Sequence, residues 1–183
     1  MKHSRRNILL SLSLVAASLA IAADKPRVSP HETITADIDG ATVTIVYGRP
    51  YTKDPKTGAP RKIWGELVPF GKVWRTGADE ATLLTTTQPL DIGGTSVAAG
   101  TYSVFTQPEQ SGAAKLILNK QTGQWGTKYD EKQDLVRIDM KKDTVDKPVD
   151  QFTMALEKNP AGGGTLKLIW ENTQYSVSLK AKK

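Results

Sequence analysis

The chain has 183 residues, 25 Lys+Arg against 19 Asp+Glu, 38% hydrophobic residues and no cysteine. Such a length fits one domain of the usual size, about 100–200 residues, and the apolar content excludes a disordered chain. Collagen-like, coiled-coil and disulfide-rich classes are excluded by composition, so the fold must be held together by packing alone.

Residues 1–22 read as a signal peptide. Lys2, Arg5 and Arg6 precede an apolar run over 8–22 that closes on Ala20-Ile21-Ala22. This is a basic n-region, an apolar h-region and a cleavage site of the A-x-A type. Cleavage after Ala22 and a periplasmic or secreted location are expected. The run is shorter than the roughly 20 residues of a membrane-spanning helix, so no stable span is expected once the leader is gone; a retained anchor is the alternative. The stretch Ser4-Arg5-Arg6-Asn7-Ile8-Leu9 resembles a twin-arginine signal and equally suits an ordinary secretory leader. Residues 23–183 keep 22 basic residues against 19 acidic ones, a net charge of +3, scattered along the chain. Nucleic-acid binding would need a basic stripe interleaved with base-reading residues and is excluded.

Alternation of apolar and polar residues, the mark of strands with one buried face, dominates the chain beyond the leader. Residues 33–38 and 41–47 flank Asp39-Gly40, a dipeptide that supplies the positive φ angles of a tight hairpin turn. Residues 48–72 carry Pro50, Pro55, Pro60 and Pro69 with Gly58, Gly65 and Gly71, which predicts a long loop laid over the sheet. Strands are predicted next at 81–87, at Leu90-Asp91-Ile92 and Thr95-Ser96-Val97 around Gly93-Gly94, and at 101–106 and 113–118. A polar connection over 119–134 holds Trp125 and Tyr129. Val136-Arg137-Ile138-Asp139-Met140, Phe152-Thr153-Met154-Ala155-Leu156, Leu166-Lys167-Leu168-Ile169-Trp170 and Tyr175-Ser176-Val177-Ser178-Leu179 complete the pattern. About ten short strands without intervening helices predict an all-β fold, a single antiparallel β-sandwich or jelly-roll-like barrel over residues 23–183.

Tyr47-Gly48-Arg49-Pro50, the run 61–82 with its core Trp74-Arg75-Thr76-Gly77-Ala78-Asp79-Glu80-Ala81-Thr82, Ala99-Gly100-Thr101-Tyr102-Ser103-Val104-Phe105 and residues 119–126 resemble a family of exported bacterial proteins. It is the domain of unknown function numbered 2911, and the likeness covers roughly residues 29–179. The resemblance implies one exported β-rich domain and no reaction. The family pattern has asparagine where this chain has Asp79, and a shorter loop between Pro50 and Arg61.

Chemistry-bearing residues are few. Beyond the leader there is one histidine, His31, near the start of the chain, expected at the surface; with no cysteine, neither a thiol nucleophile nor a histidine triad is readily assembled. His31, Glu32 and Asp37 offer no zinc spacing, and phosphate-loop, calcium-loop and nucleophile-elbow motifs are absent. No catalytic residue, metal or cofactor is assigned. Arg75 beside Trp74 places a five-donor fork next to a large aromatic face, suited to gripping a carboxylate or phosphate at two points. The structural alternative pairs Arg75 internally with Glu80 or Asp79. Arg49 and Arg61 are candidates to join the same region, and Trp64 and Trp125, each before a glycine, are candidates to line it. The expectation is a non-catalytic binding or accessory module of the cell envelope, its partner a small molecule or envelope component. The alternative is a carboxylate-based hydrolase or isomerase with Arg75 as electrostatic partner.

Overall fold

The computed structural model describes residues 27–182, so the expected signal peptide lies outside the described residues. Nine strands succeed one another: β1 (His31–Ile38), β2 (Ala41–Gly48), β3 (Thr82–Thr86), β4 (Leu90–Ile92), β5 (Thr95–Val97), β6 (Gly100–Pro108), β7 (Ala114–Asn119), β8 (Asp134–Lys158) and β9 (Gly164–Ala181). The one helical element among the described residues is a three-residue 3-10 turn, Glu131–Gln133. All neighbours are antiparallel, in the order β1-β2-β3-β6-β7-β8-β9-β4-β5. The sheet is not closed into a barrel.

Both glycine-marked turns form as their residues dictate. Asp39 (φ 52) and Gly40 (φ 91) join β1 to β2, and Gly93 (φ 56) and Gly94 (φ 87) join β4 to β5. Two successive positive φ angles are the condition for a two-residue turn whose twist matches that of the strands. The first turn sets the β1–β2 register, so that His31 lies opposite Gly48 and Glu32 opposite Tyr47.

Two predicted pairs of short strands prove to be two long strands. β8 runs for 25 residues, pairing with β7 up to Met140 and with β9 from Lys141, with register shifts between Thr144 and Thr153. β9 carries two buried triplets, Leu166-Leu168-Trp170 and Tyr175-Val177-Leu179. Trp170 and Tyr175 are five residues apart, an odd interval that would turn one of them outward in a regular strand. Glu171, with φ 50 at the irregular stretch of the ladder, restores the phase. Because β8 serves both halves, the sheet folds over on itself and β1 comes into contact with β8 and β9.

The main apolar core fills the space inside the folded sheet, and a smaller cluster of Ala81, Phe105 and Ile117 lies apart from it. At its centre Phe152 meets Trp74, Trp170 and Tyr47 with ring centroids 5.1, 5.7 and 5.9 Å apart, in edge-to-face arrangements. Such rings combine large buried area with favourable quadrupole geometry. The proline-rich segment 48–72 is pinned to this body. Thr52 N donates to Asp150 O at 2.7 Å and Phe152 N to Pro50 O at 2.9 Å, while Ile63 and Val68 are buried in the core.

Candidate functional site

The segment Trp74 to Thr82 leaves the core at one end and enters β3 at the other. Trp74 is held on β6 by a pair of backbone bonds with Thr106, 2.7 and 3.0 Å long. Between them the backbone takes three unusual steps, Thr76 (φ 53), Gly77 (φ 150) and Asp79 (φ 63). A β-branched residue in the left-handed region is rare and persists only where its surroundings over-determine it. Fully buried Thr76 meets that condition: its hydroxyl donates to Trp74 O at 3.2 Å and lies 3.1 Å from the Thr106 hydroxyl, and its carbonyl accepts from Thr82 Oγ1 at 2.7 Å.

Close backbone approaches fix the far side of the loop. A Cβ on Gly48 would lie 2.4 Å from Ala78 O, and one on Gly126 would lie 2.8 Å from Arg75 Cδ and 2.9 Å from Asp79 O. Gly126 N donates to Asp79 O and Ala81 N to Gln124 O. Residues 124–126 therefore run beside 79–81 as a short strand-like rail, and the bare Cα of Gly126 supports the aliphatic stem of Arg75.

Beside this loop is a cleft of about 530 Å³. Its charged lining residues are Arg61, Arg75 and Asp79; Trp74, Trp170, Phe105, Val73, Leu67 and Tyr129 supply apolar and aromatic wall. Arg75 is half-buried and its Nε donates to Gly77 O at 3.2 Å. The internal pairing with Glu80 or Asp79 that the sequence left open is not formed: Arg75 makes no ion pair with any acid among the described residues. Arg61 likewise makes no ion pair within 4 Å there, although Asp54 is near enough to interact with it electrostatically; its Nη2 donates to Tyr51 O, and its buried Nε has no acceptor among the described residues.

The remaining predicted residues go elsewhere. Glu80 does not line the cleft; it pairs with Arg27, and that hydrogen bond is the main cause holding its carboxyl below the usual range. Arg49 is consumed at the sheet edge, 3.0 Å from Glu32 Oε2, 3.2 Å from Phe152 O and 2.8 Å from Thr153 Oγ1. Trp64 packs edge-on against Tyr175, centroids 5.6 Å apart, facing the core rather than the cleft. Trp125 is 47% exposed, on the rail opposite Glu80 and outside the cleft lining.

His31 is exposed, as expected, and although it does not line the cleft its side chain reaches the end of the loop. Its Nε2 is 3.3 Å from Asp79 Oδ2 and 3.5 Å from Glu80 Oε2. The signal was present in the hairpin: a two-residue turn at Asp39-Gly40 forces His31 opposite Gly48, and Gly48 abuts Ala78. Tyr129 is a site residue that its sequence position does not reveal. Its hydroxyl donates to Asp134 Oδ2 at 2.6 Å within a network held by Arg137, and burial together with that bond pushes its pKa up. Its ring rests on Phe105, centroids 4.8 Å apart, and closes one wall of the cleft.

The family described as Protein of unknown function (DUF2911) matches residues 29–179. The chain belongs to the DUF2911 family. No curated protein and no solved structure was found to match this DUF2911 chain. Every residue of the cleft except Val28 falls inside the matched span. Among the described residues of the DUF2911 domain no cluster of three or more histidine and acidic side chains is arranged to hold a metal ion.

Proposed function

We propose that the protein is an exported, non-catalytic binding module of the cell envelope whose cleft takes a small organic anion. One observation carries this reading: two arginines, Arg61 and Arg75, line the same cleft and neither makes an ion pair within 4 Å among the described residues. Guanidinium forks grip carboxylate and phosphate at two points, and the cleft volume is within the range of small-molecule sites, about 300–1,000 Å³. The export half of the reading rests on the leader at residues 1–22.

The carboxylate-based enzyme is the weaker reading. Acid–base work by two carboxyl groups requires both to face the substrate, and among the described residues Asp79 is the sole carboxylate lining the cleft.

The test is thermal unfolding of the purified protein with carboxylates, phosphate monoesters and neutral sugars. A ligand at about 100 times its Kd stabilises by about 2.7 kcal/mol, which for a domain of this size raises the midpoint by roughly 5–10 °C. Anions shift the wild type and not a folded Arg75→Ala variant. If no anion acts, or if neutral sugars act equally on both proteins, the cleft is not an anion site.

A further inference from the structure

Among the described residues the cleft is lined by two arginines and one aspartate, and the backbone of that aspartate is fixed in place. Asp79 sits in the left-handed region at φ 63, with its carbonyl accepting from Gly126 N at 2.9 Å. Its Oδ2 lies 3.3 Å from His31 Nε2, its Oδ1 takes no hydrogen bond among the described residues, and the side chain retains 28% exposure. A plain dianion drawn to Arg61 and Arg75 would bring its charge beside this carboxylate, a like-charge contact that binding sites use to reject ligands. A ligand that also carries an ammonium group turns the same carboxylate into an attraction.

From this arrangement we infer that the ligand class is a free acidic amino acid. Two carboxylates are taken by Arg61 and Arg75, and the α-ammonium by Asp79. The inference rests on the anion reading above and goes beyond it by making Asp79 the specificity-determining residue. Charge count agrees: among the described residues two arginines and one aspartate line the cleft, and they are matched by a zwitterion with one net negative charge.

Isothermal titration of the purified protein with glutamate of either hand, glutarate, N-acetylglutamate and γ-aminobutyrate separates the terms. One glutamate enantiomer is expected to bind at least about tenfold more tightly than glutarate or N-acetylglutamate, which lack the ammonium, and than γ-aminobutyrate, which lacks one carboxylate. Asp79→Asn should abolish the preference over glutarate, weakening glutamate and tightening glutarate as the like-charge contact is removed; asparagine tolerates positive φ, so the loop is retained. Arg75→Lys, which keeps the charge and loses the fork, should weaken both dicarboxylates. The comparison of glutamate with N-acetylglutamate needs no variant and stands even where one fails to fold. If glutarate and N-acetylglutamate bind as tightly as glutamate, or if Asp79→Asn keeps the preference, the zwitterion assignment is overturned and the anion reading survives. If none of these compounds binds, the assignment to acidic amino acids falls, and the wider anion panel decides the anion reading separately.

Discussion

Gly126→Ala isolates the contact that shapes the cleft. The added methyl would sit 2.8 Å from Arg75 Cδ, 2.9 Å from Asp79 O and 3.0 Å from Arg75 Cβ. One of these neighbours is backbone, and it is the acceptor of the hydrogen bond that Gly126 N makes at 2.9 Å. Overpacking a tight site costs about 1–3 kcal/mol, and weakening the bond adds about 0.5–1.5 kcal/mol. A total near 2–4 kcal/mol corresponds to a midpoint lowered by roughly 5–15 °C. Urea unfolding reads the stability, and the Arg75→Ala background reads the mechanism. With Cδ removed, part of the clash disappears, so the two substitutions should couple by about 0.5 kcal/mol or more. Gly123→Ala is the control: Gly123 has φ 80 and nothing within 4 Å of its added methyl, so it should cost only the left-handed penalty, about 1–2 kcal/mol, equally in both backgrounds. The packing argument is refuted if Gly126→Ala unfolds within about 0.5 kcal/mol of wild type, or if its cost is the same without Arg75.

Two further outcomes are expected. Tyr47 is buried, donates to Glu32 Oε2 at 2.7 Å and accepts from Met154 N at 2.9 Å, and its pKa is pushed from 10.0 to about 12, chiefly by burial. Its folded pKa lies above the unfolded one, so its contribution is full below pH 10 and is lost as pH rises towards 12; Tyr47→Phe should cost about 1–3 kcal/mol at neutral pH, and that cost should shrink across this alkaline window in pH-dependent urea melts. N-terminal sequencing of the protein recovered from the cell envelope should begin at Ala23; recovery of a chain beginning at Met1 would contradict export with cleavage.

How much of the molecule was legible in the sequence depended on the range of the interaction. Asp39-Gly40 and Gly93-Gly94 could be placed because positive φ is a local demand that few residues meet. The alternating runs could be placed because each reports its own burial. The continuity of β8 could not: residues 141–151 are mostly polar and lack the alternation of a buried face, yet the backbone pairs with β9 at residues 141–144 and again at Val149. Within the site, Trp74, Arg75 and Asp79 stood out because tryptophan, arginine and glycine crowd one short run. The convergence of Arg61 with them could not be read, since it depends on how a 25-residue connection with four prolines docks onto β8. Arg49 and Glu80 lie outside the cleft because their partners, Glu32 and Arg27, reach them through the β1–β2 pairing and the segment before it, contacts with no local signature.

The cleft draws its walls from Val28 near one end of the described chain and from Trp170 near the other, with the 73–79 and 126–129 segments between. No short stretch of chain contains the site, so it does not exist until segments distant in sequence, among them β6 with Phe105 and β9 with Trp170, have come together. Such non-local closure is slow, and contacts completed after the folding transition state act on the rate of unfolding rather than on that of folding. A ligand bound there would therefore lengthen the lifetime of the native protein without hastening its formation.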